Sequence, residues 1–394
     1  MITKIRLTLL FVGIILLETK LSNAQSAVLY GQDTTRRVIT TAVPFVNFAP
    51  DSRASGMGDV GVATSADANS THWNNGKLAF IEQDFGMSAS YTPWLGKIVD
   101  DMSISYLSGF YKIDRVQTVA ASLRYFDLGE IQLTNEIGAS LGLENPREMA
   151  FDLTYSRKLT ENMGIGVSGR YIWSNLSGSY SGVSGQTGKS VAVDLGFYYK
   201  KSILVSGRDT DVSFGANISN VGQKVTYSSD SNADFIPTNL RVGTAVKTNL
   251  DAYNSITFAL DLNKLMVPTP PVRDVNGNIT RGKDPDRNLI SGIFGSFADA
   301  PDGFSEELKE FTISAGMEYW YRDVFAARAG YFHETDTKGG RKYLTVGMGF
   351  RYQKFGVDFS YLIPPKQNHP LAETIRFSVL FNFDKGLDDS STSN

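Results

Sequence analysis

What most restricts this chain is a segment of about ten residues in which apolar and polar side chains alternate, a unit that begins near residue 85 and recurs to residue 383. A period of two belongs to an extended strand whose faces meet different surroundings. In Val191 to Tyr199 one face carries Val191, Val193, Leu195, Phe197 and Tyr199, and the other Ala192, Asp194, Gly196 and Tyr198. Ile256, Phe258, Leu260 and Leu262 stand in the same way against Thr257, Ala259 and Asp261. The last segment sets Ile375, Phe377, Val379, Phe381 and Phe383 against Arg376, Ser378 and Asn382.

Such segments lie near 85–92, 102–112, 117–126, 148–157, 163–173, 189–200, 210–219, 239–248, 255–263, 311–321, 324–333, 343–352, 355–362 and 374–383. That is about fourteen, and single-chain bacterial membrane barrels use an even number. Short links (Lys158 to Asn162, Arg322-Asp323, Gln353-Lys354) interleave with long ones near 127–147, 174–188, 220–238, 264–310 and 334–342. A water-soluble β-sandwich has no reason to sort its loops so, whereas outer-membrane barrels have short periplasmic turns and long extracellular loops. The fold class expected is therefore all-β, a transmembrane antiparallel β-barrel over residues 85–383, with both chain ends on the periplasmic side.

The apolar face must meet lipid, because backbone groups in hydrocarbon all need partners and a closed barrel supplies them. The other face carries Arg124, Asp152, Arg170, Asp194, Arg241, Asp261, Glu318, Arg328, Arg351, Asp358 and Arg376. An Arg on the lipid face near the midplane costs about 2–4 kcal/mol, so this set belongs in the lumen, its charges neutralising one another. Tyr155, Tyr171, Trp173, Tyr199, Tyr319, Trp320, Tyr321 and Tyr361 fall at segment ends and suit interfacial girdles.

Lys4 and Arg6, the apolar run Leu7 to Leu17 and the small residues Ser22-Asn23-Ala24 read as a signal peptide, residues 1–24, cleaved after Ala24. The run is shorter than the roughly 20 apolar residues of a membrane helix, and no later stretch qualifies. An exported chain that crosses a membrane with strands belongs in an outer membrane. The absence of cysteine rules out disulfides and thiolate chemistry, and a net charge of −3 without a basic domain argues against nucleic acid. Residues 25–84 alternate poorly and are rich in Gly, Ala, Asn and Ser, which suits a periplasmic or plug segment. Leu265 to Glu310 begins with Pro268-Thr269-Pro270-Pro271, contains an Asn276-Gly277 turn and ends in a short helical pattern opened by a Ser305 cap. It reads as a surface lid or docking loop. The acidic, Ser-rich tail 384–394 reads as disordered.

Few residues invite chemistry. Thr187-Gly188-Lys189-Ser190 ends like a phosphate-binding loop but has Val183 where that motif needs glycine. The histidines His72, His333 and His369 are scattered; only His333 sits where a lipid-cleaving base belongs, near the extracellular end of its strand, and no serine adjoins it. No catalytic residue, metal site or cofactor is expected. The cluster Asp51, Ser52, Arg53, Gly56 and Gly58, with Trp73 and Asn74, is a candidate plug or partner motif, in which glycine allows close backbone approach.

Ala49-Pro-Asp-Ser-Arg-Ala-Ser-Gly-Met-Gly-Asp-Val-Gly-Val-Ala-Thr64, then His72-Trp73-Asn74, Ser90-Tyr-Thr-Pro-Trp-Leu95 and Ser122-Leu-Arg-Tyr-Phe126 resemble the PorV (LptO) family of outer-membrane barrels, relatives of the FadL fatty-acid transporters. One departure is Trp73-Asn74-Asn75-Gly76, where the family pattern reads Trp-Asn-Pro-Ala. The resemblance implies a FadL-like barrel and a role in the type IX secretion system. Its implied partners are the giant translocon barrel, the C-terminal signal domains of secreted cargo, the cell-surface attachment complex that receives them, and outer-membrane lipid or lipopolysaccharide. A FadL-like transporter of hydrophobic small molecules is the alternative, and a lipid A deacylase using His333 a more distant one.

Overall fold

The strands form where the alternation places them. They are β1 (Phe85–Pro93), β2 (Ser103–Lys112), β3 (Gln117–Asp127), β4 (Arg147–Lys158), β5 (Met163–Asn175), β6 (Gly188–Val205), β7 (Arg208–Gly222), β8 (Asn239–Asn249), β9 (Asn254–Leu265), β10 (Phe311–Tyr321), β11 (Phe325–His333), β12 (Lys342–Tyr352), β13 (Phe355–Ile363) and β14 (Ile375–Phe383). This computed structural model describes residues 36–383 apart from 97, 136, 177–185, 228–232 and 366–373; the signal peptide, the 384–394 tail and His369 lie outside the described residues. Each strand pairs antiparallel with its chain neighbour, and β14 returns to β1 through Phe85↔Phe383, Met87↔Phe381 and Tyr91↔Phe377. The sheet is a closed barrel of fourteen strands.

Side-chain exposure follows the parity of the sequence. Val191, Val193 and Leu195 are exposed on the lipid side, as are Phe258, Leu260 and Leu262, and Phe377 and Phe381. Of the charged set assigned to the lumen every member is buried except Arg351, which is half-buried. Trp320 departs from the girdle reading: it faces inward, and the guanidinium groups of Arg328 and Arg351 lie 5.6 and 5.3 Å from its ring centre. Its even number in β10 puts it beside Glu318 on the luminal face, and there a cation takes up the ring's quadrupole.

The turns at one end, 113–116, 159–162, 206–207, 250–253, 322–324 and 353–354, are all short, and the connections at the other end are longer, up to 266–310. The long-loop end is extracellular. Loop 128–146 carries the hairpin Ile131–Thr134 with Ser140–Glu144, and loop 266–310 the hairpin Val272–Arg273 with Ile279–Arg281, turning at Gly277 with φ 84°. A helix that the sequence pattern did not signal spans Leu289–Gly295, and the next, Phe304–Glu307, has Gly303 and not Ser305 as its N-cap. Ser305 lies inside that helix, its hydroxyl directed back to Asp302 O.

The described chain starts at the end opposite to the one expected. Arg37 N–H donates to Thr337 O at 3.0 Å and Ala42 N–H to Phe235 O at 2.9 Å, both acceptors lying in extracellular loops. Residues 36–42 therefore sit at the extracellular mouth, and the chain runs inward from there. Val43, Phe45 and Val46 anchor it among Ile104, Phe126 and Ile172, at the extracellular ends of β2, β3 and β5, and Trp94, just past the end of β1. Leu78 and Ile81 pack with Phe110 and Ala120 near the periplasmic rim, and β1 begins there. Apolar burial at the mouth overrides the simple count of strands from the signal peptide. Because the chain lacks cysteine, this topology has a clean check. A membrane-impermeant maleimide should label Arg36→Cys on intact cells and Ser206→Cys only after the outer membrane is opened; the reverse pattern would invert the orientation.

Candidate functional site

Inside the barrel the segment 49–81 is held by its own side chains and by the wall. Asp51 caps the turn Ser52–Ser55 by accepting from Ala54 N–H at 2.9 Å, and its other oxygen accepts from Trp73 Nε1 at 2.6 Å. Ser52 N–H donates to Ser378 Oγ of β14 at 2.9 Å. Arg53 forms a fork on Glu318 of β10, 3.0 Å from Nε and 2.8 Å from Nη2, and reaches Asp67 with Nη1 at 2.9 Å. Gly58 has φ 74°, and a Cβ there would lie 2.6 Å from the backbone nitrogen of Tyr331. Only glycine meets both demands. Asn74 donates to Val62 O and Phe197 O at 3.0 and 2.9 Å and caps Gly76 N–H, while Asn75 donates to Ser168 Oγ. That side-chain cap holds the turn where the family-like pattern has proline, and a Cβ on Gly76 would lie 2.9 Å from the carbonyl carbon of Gly196.

The luminal charges pair only in part with one another. Glu318 accepts from both Arg53 and Arg328, Arg328 continues to Asp358 at 2.8 Å, and Arg351 joins Asp358 at 2.7 Å. Arg170 bridges Asp152 and Asp194. Two arginines do something else, which corrects the expectation of mutual neutralisation. Arg124 donates to Phe45 O and to His72 Nδ1, both at 2.8 Å, and Arg241 donates to His72 O at 2.9 Å and Asn47 Oδ1 at 2.7 Å. They clamp the N-terminal segment by its carbonyls. Since a guanidinium only donates, His72 Nδ1 must accept, which puts its proton on Nε2 in the neutral ring. His72 is thus a buried wedge between wall and segment.

At the extracellular mouth lies a cavity of about 470 Å³. Phe48, Trp94, Leu265, Phe332 and Leu362 are its apolar lining, and its charged lining includes Arg241 and the pairs of Arg341 with Glu334 and Arg376 with Asp59. A second cavity of about 380 Å³, with Arg53, Lys200, Lys247 and Trp320 in its wall, opens at the periplasmic end. Beside the outer cavity three chain segments are latched together. Arg37 pairs with Asp302 and with Glu306 at 2.7 Å; Lys338 reaches Glu306 and Glu310 at 2.6 and 2.8 Å; Lys264 of β9 reaches Glu307 at 3.1 Å and Glu310. Glu307 also accepts from the backbone N–H of Asp299 and Ala300. The latch joins the N-terminal segment, loop 266–310 and loop 334–341.

Burial works to raise the Glu306 carboxyl, but its bonds to Arg37 and Lys338 prevail and hold it at about 2, against an ordinary 4.5. A depressed carboxylate stabilises the folded form above its unfolded value and loses that contribution as pH falls through the folded one. Loop 266–310 should accordingly resist pepsin in detergent at about pH 4 and become cleavable as the pH is lowered to about 2. Undiminished resistance at the lower pH would contradict the latch.

The structure therefore brings Asp51, Ser52, Arg53, Gly56, Gly58, Trp73 and Asn74 together inside the lumen, with Gly56 against Gly347 of β12. His333 stands apart on the outer face, its Nδ1 3.3 Å from Tyr331 Oη. Sequence reasoning missed the latch residues Arg37, Lys264, Lys338, Glu306, Glu307 and Glu310. Their charges were visible, but nothing in the pattern joined positions separated by such lengths of chain.

The match that decides kinship is with the model of the type IX secretion system protein PorV, over residues 31–272. The chain belongs to the PorV family. No curated protein is similar enough to count as a match. Among solved structures, the TodX monoaromatic hydrocarbon channel, as its ΔS2S3 mutant, is 10% identical with a TM-score of 0.50, over 85% of this chain and 99% of that one. The toluene transporter TbuX of Ralstonia pickettii is 11% identical with a TM-score of 0.48, over 84% and 98%. A FadL homologue of Pseudomonas aeruginosa is 10% identical with a TM-score of 0.43, over 88% and 100%. At such identity the likeness concerns fold. As a PorV-family barrel this chain is an outer-membrane component of the type IX secretion system.

Proposed function

We propose that this PorV-family barrel carries cargo without catalysing a reaction: it binds the C-terminal signal domains of secreted proteins at the translocon and delivers them to the cell-surface attachment complex. In this reading residues 42–81 act as a plug, so the barrel works through its extracellular surface. The observation that carries the reading is the extracellular loop 266–310, fixed by the latch yet showing apolar side chains to solvent. Phe294 is 68% exposed and Phe304 75%, with Ile290 and Leu308 also exposed. Recognition on rigid scaffolds is concentrated in such loops, and aromatic groups already held in place lose little entropy on binding. The triple variant Phe294→Ser, Phe304→Ser, Leu308→Ser should assemble normally and leave cargo undelivered; normal surface display of cargo would contradict the role of this loop.

A second reading, transport of hydrophobic small molecules, draws on the apolar side of the outer cavity. It requires a path from there to the periplasmic cavity, and the buried segment 54–63 with its wall contacts stands against one. Cleavage of lipid A has less support. His333→Ala should leave lipid A unchanged, and altered lipid A in that variant would reinstate an enzymatic role.

A further inference from the structure

Strands β6 and β7 leave the barrel. The pairing of β6 with β5 ends at Met163↔Tyr199, with one more bond from Lys200 N–H to Asn162 O at 2.8 Å, and that of β7 with β8 ends at Thr210↔Thr248. The two strands nevertheless stay paired with each other to Val205↔Arg208 and turn at Ser206 and Gly207, φ 51° and 78°. That is the left-handed pair of a two-residue hairpin turn. At about 3.3 Å per residue, residues 200–205 extend the β6 edge roughly 20 Å along the strand past its last pair with β5, toward the periplasm. Residues 201–209 are exposed on both faces, and Leu204 is 74% exposed.

Lys200 directs its N–H toward the β5 side, and strand geometry repeats that direction at Ser202 and Leu204. Their N–H and C=O groups therefore point to a side where no strand stands among the described residues. Barrel closure removes such edges elsewhere around the wall, and an open edge is a template for another strand. The run Ser202-Ile203-Leu204-Val205 has neither charge nor proline to blunt it. Lipid is a poor occupant, because Lys201, Arg208 and Asp209 are exposed along the hairpin. A second copy fits no better. Two barrels upright in one membrane are related by an axis along its normal, which sets like groups at like heights, N–H opposite N–H.

We propose that the open edge of hairpin 200–211 receives an extended segment of a periplasmic protein, added as a strand beside Ser202–Leu204. Main-chain bonds would hold it, and alternate side chains would find Ile203 and Val205 on one face and Leu204 on the other. Lys201 and Arg208 share the face of Ile203 and Val205, so acidic residues flanking the added strand are complementary.

Amide exchange of residues 201–205 tests this, compared between outer-membrane vesicles from the native cell and the purified barrel in detergent. Ser202 and Leu204 should exchange about tenfold more slowly in the vesicles, roughly the worth of one net backbone hydrogen bond. Equal rates would overturn the proposal. In parallel, Leu204→Cys provides a lone thiol for crosslinking in cells. Its periplasmic adduct should disappear when Ser202→Pro is added, since that change removes an outward N–H and leaves the pairing with β7 intact. An adduct that persists with proline present, or an oxidised dimer of the chain with itself, would also overturn it.

Discussion

Glu318→Ala should destabilise the barrel by about 3–5 kcal/mol, the usual cost of removing one partner from a buried ion pair. Glu318 takes a fork from Arg53 of the N-terminal segment and a bond from Arg328 of β11, and both cations are almost wholly enclosed. Removing the carboxylate leaves Arg53, beside the periplasmic cavity, with Asp67, and the fully enclosed Arg328 with Asp358, as their remaining acidic partners. The temperature at which the folded form converts to the slow-migrating unfolded form on gels measures the loss. Pairing the change with Arg53→Met should recover part of it, because one of the stranded charges then disappears. An unchanged transition in Glu318→Ala would mean that this network does not hold segment and wall together.

Gly58→Val should loosen the segment while sparing the wall. A β-branched residue at φ 74° is strained by about 1–3 kcal/mol, and its side chain would have to enter the backbone of Tyr331, at a further cost of about 1–3 kcal/mol. The bond from Gly58 N–H to Thr345 Oγ1, 2.8 Å long, would be lost as the turn moved away. The strand-to-strand ladder does not involve Gly58, so the segment should give way first. In planar bilayers the native barrel should be closed, and the variant should open to a steady ion current through its polar lumen. Gly277→Ala is the control: it too has positive φ, but nothing lies near its Cβ, and it should leave the current unchanged. A closed Gly58→Val barrel with native stability would contradict occlusion by this segment.

The wall was legible because lipid on one side and polar packing on the other force a parity that side chains record directly. Asp194, Asp261 and Arg328 stand on the face that their numbers assign. The end of β6 was less legible, since Lys200 to Val205 leave the two-sided environment and lose the alternation with it. The clamps of Arg124 and Arg241 were hidden for another reason: their acceptors include the carbonyls of Phe45 and His72, and a carbonyl leaves no mark in a sequence. Trp320 was misread because a terminal aromatic suits both an interface and a cation inside the rim. Entry of the segment at the extracellular mouth follows from contacts of Arg37 and Ala42 with Thr337 and Phe235, and a rule that counts strands carries no information about the path before β1. The latch joins Arg37 to Glu306 in the same way, through proximity created only when the barrel closes.

On the proposed function this PorV-family barrel acts on other proteins through its extracellular loops. Extraction of the tagged, full-length chain in mild detergent, followed by mass spectrometry of the proteins and lipids that remain bound, tests it most directly. The expected result is a giant translocon barrel or secreted proteins sharing a C-terminal domain, lost in the Phe294→Ser, Phe304→Ser, Leu308→Ser variant. A lone barrel carrying one acyl lipid per chain would contradict the claim and point to transport of small molecules through the outer cavity.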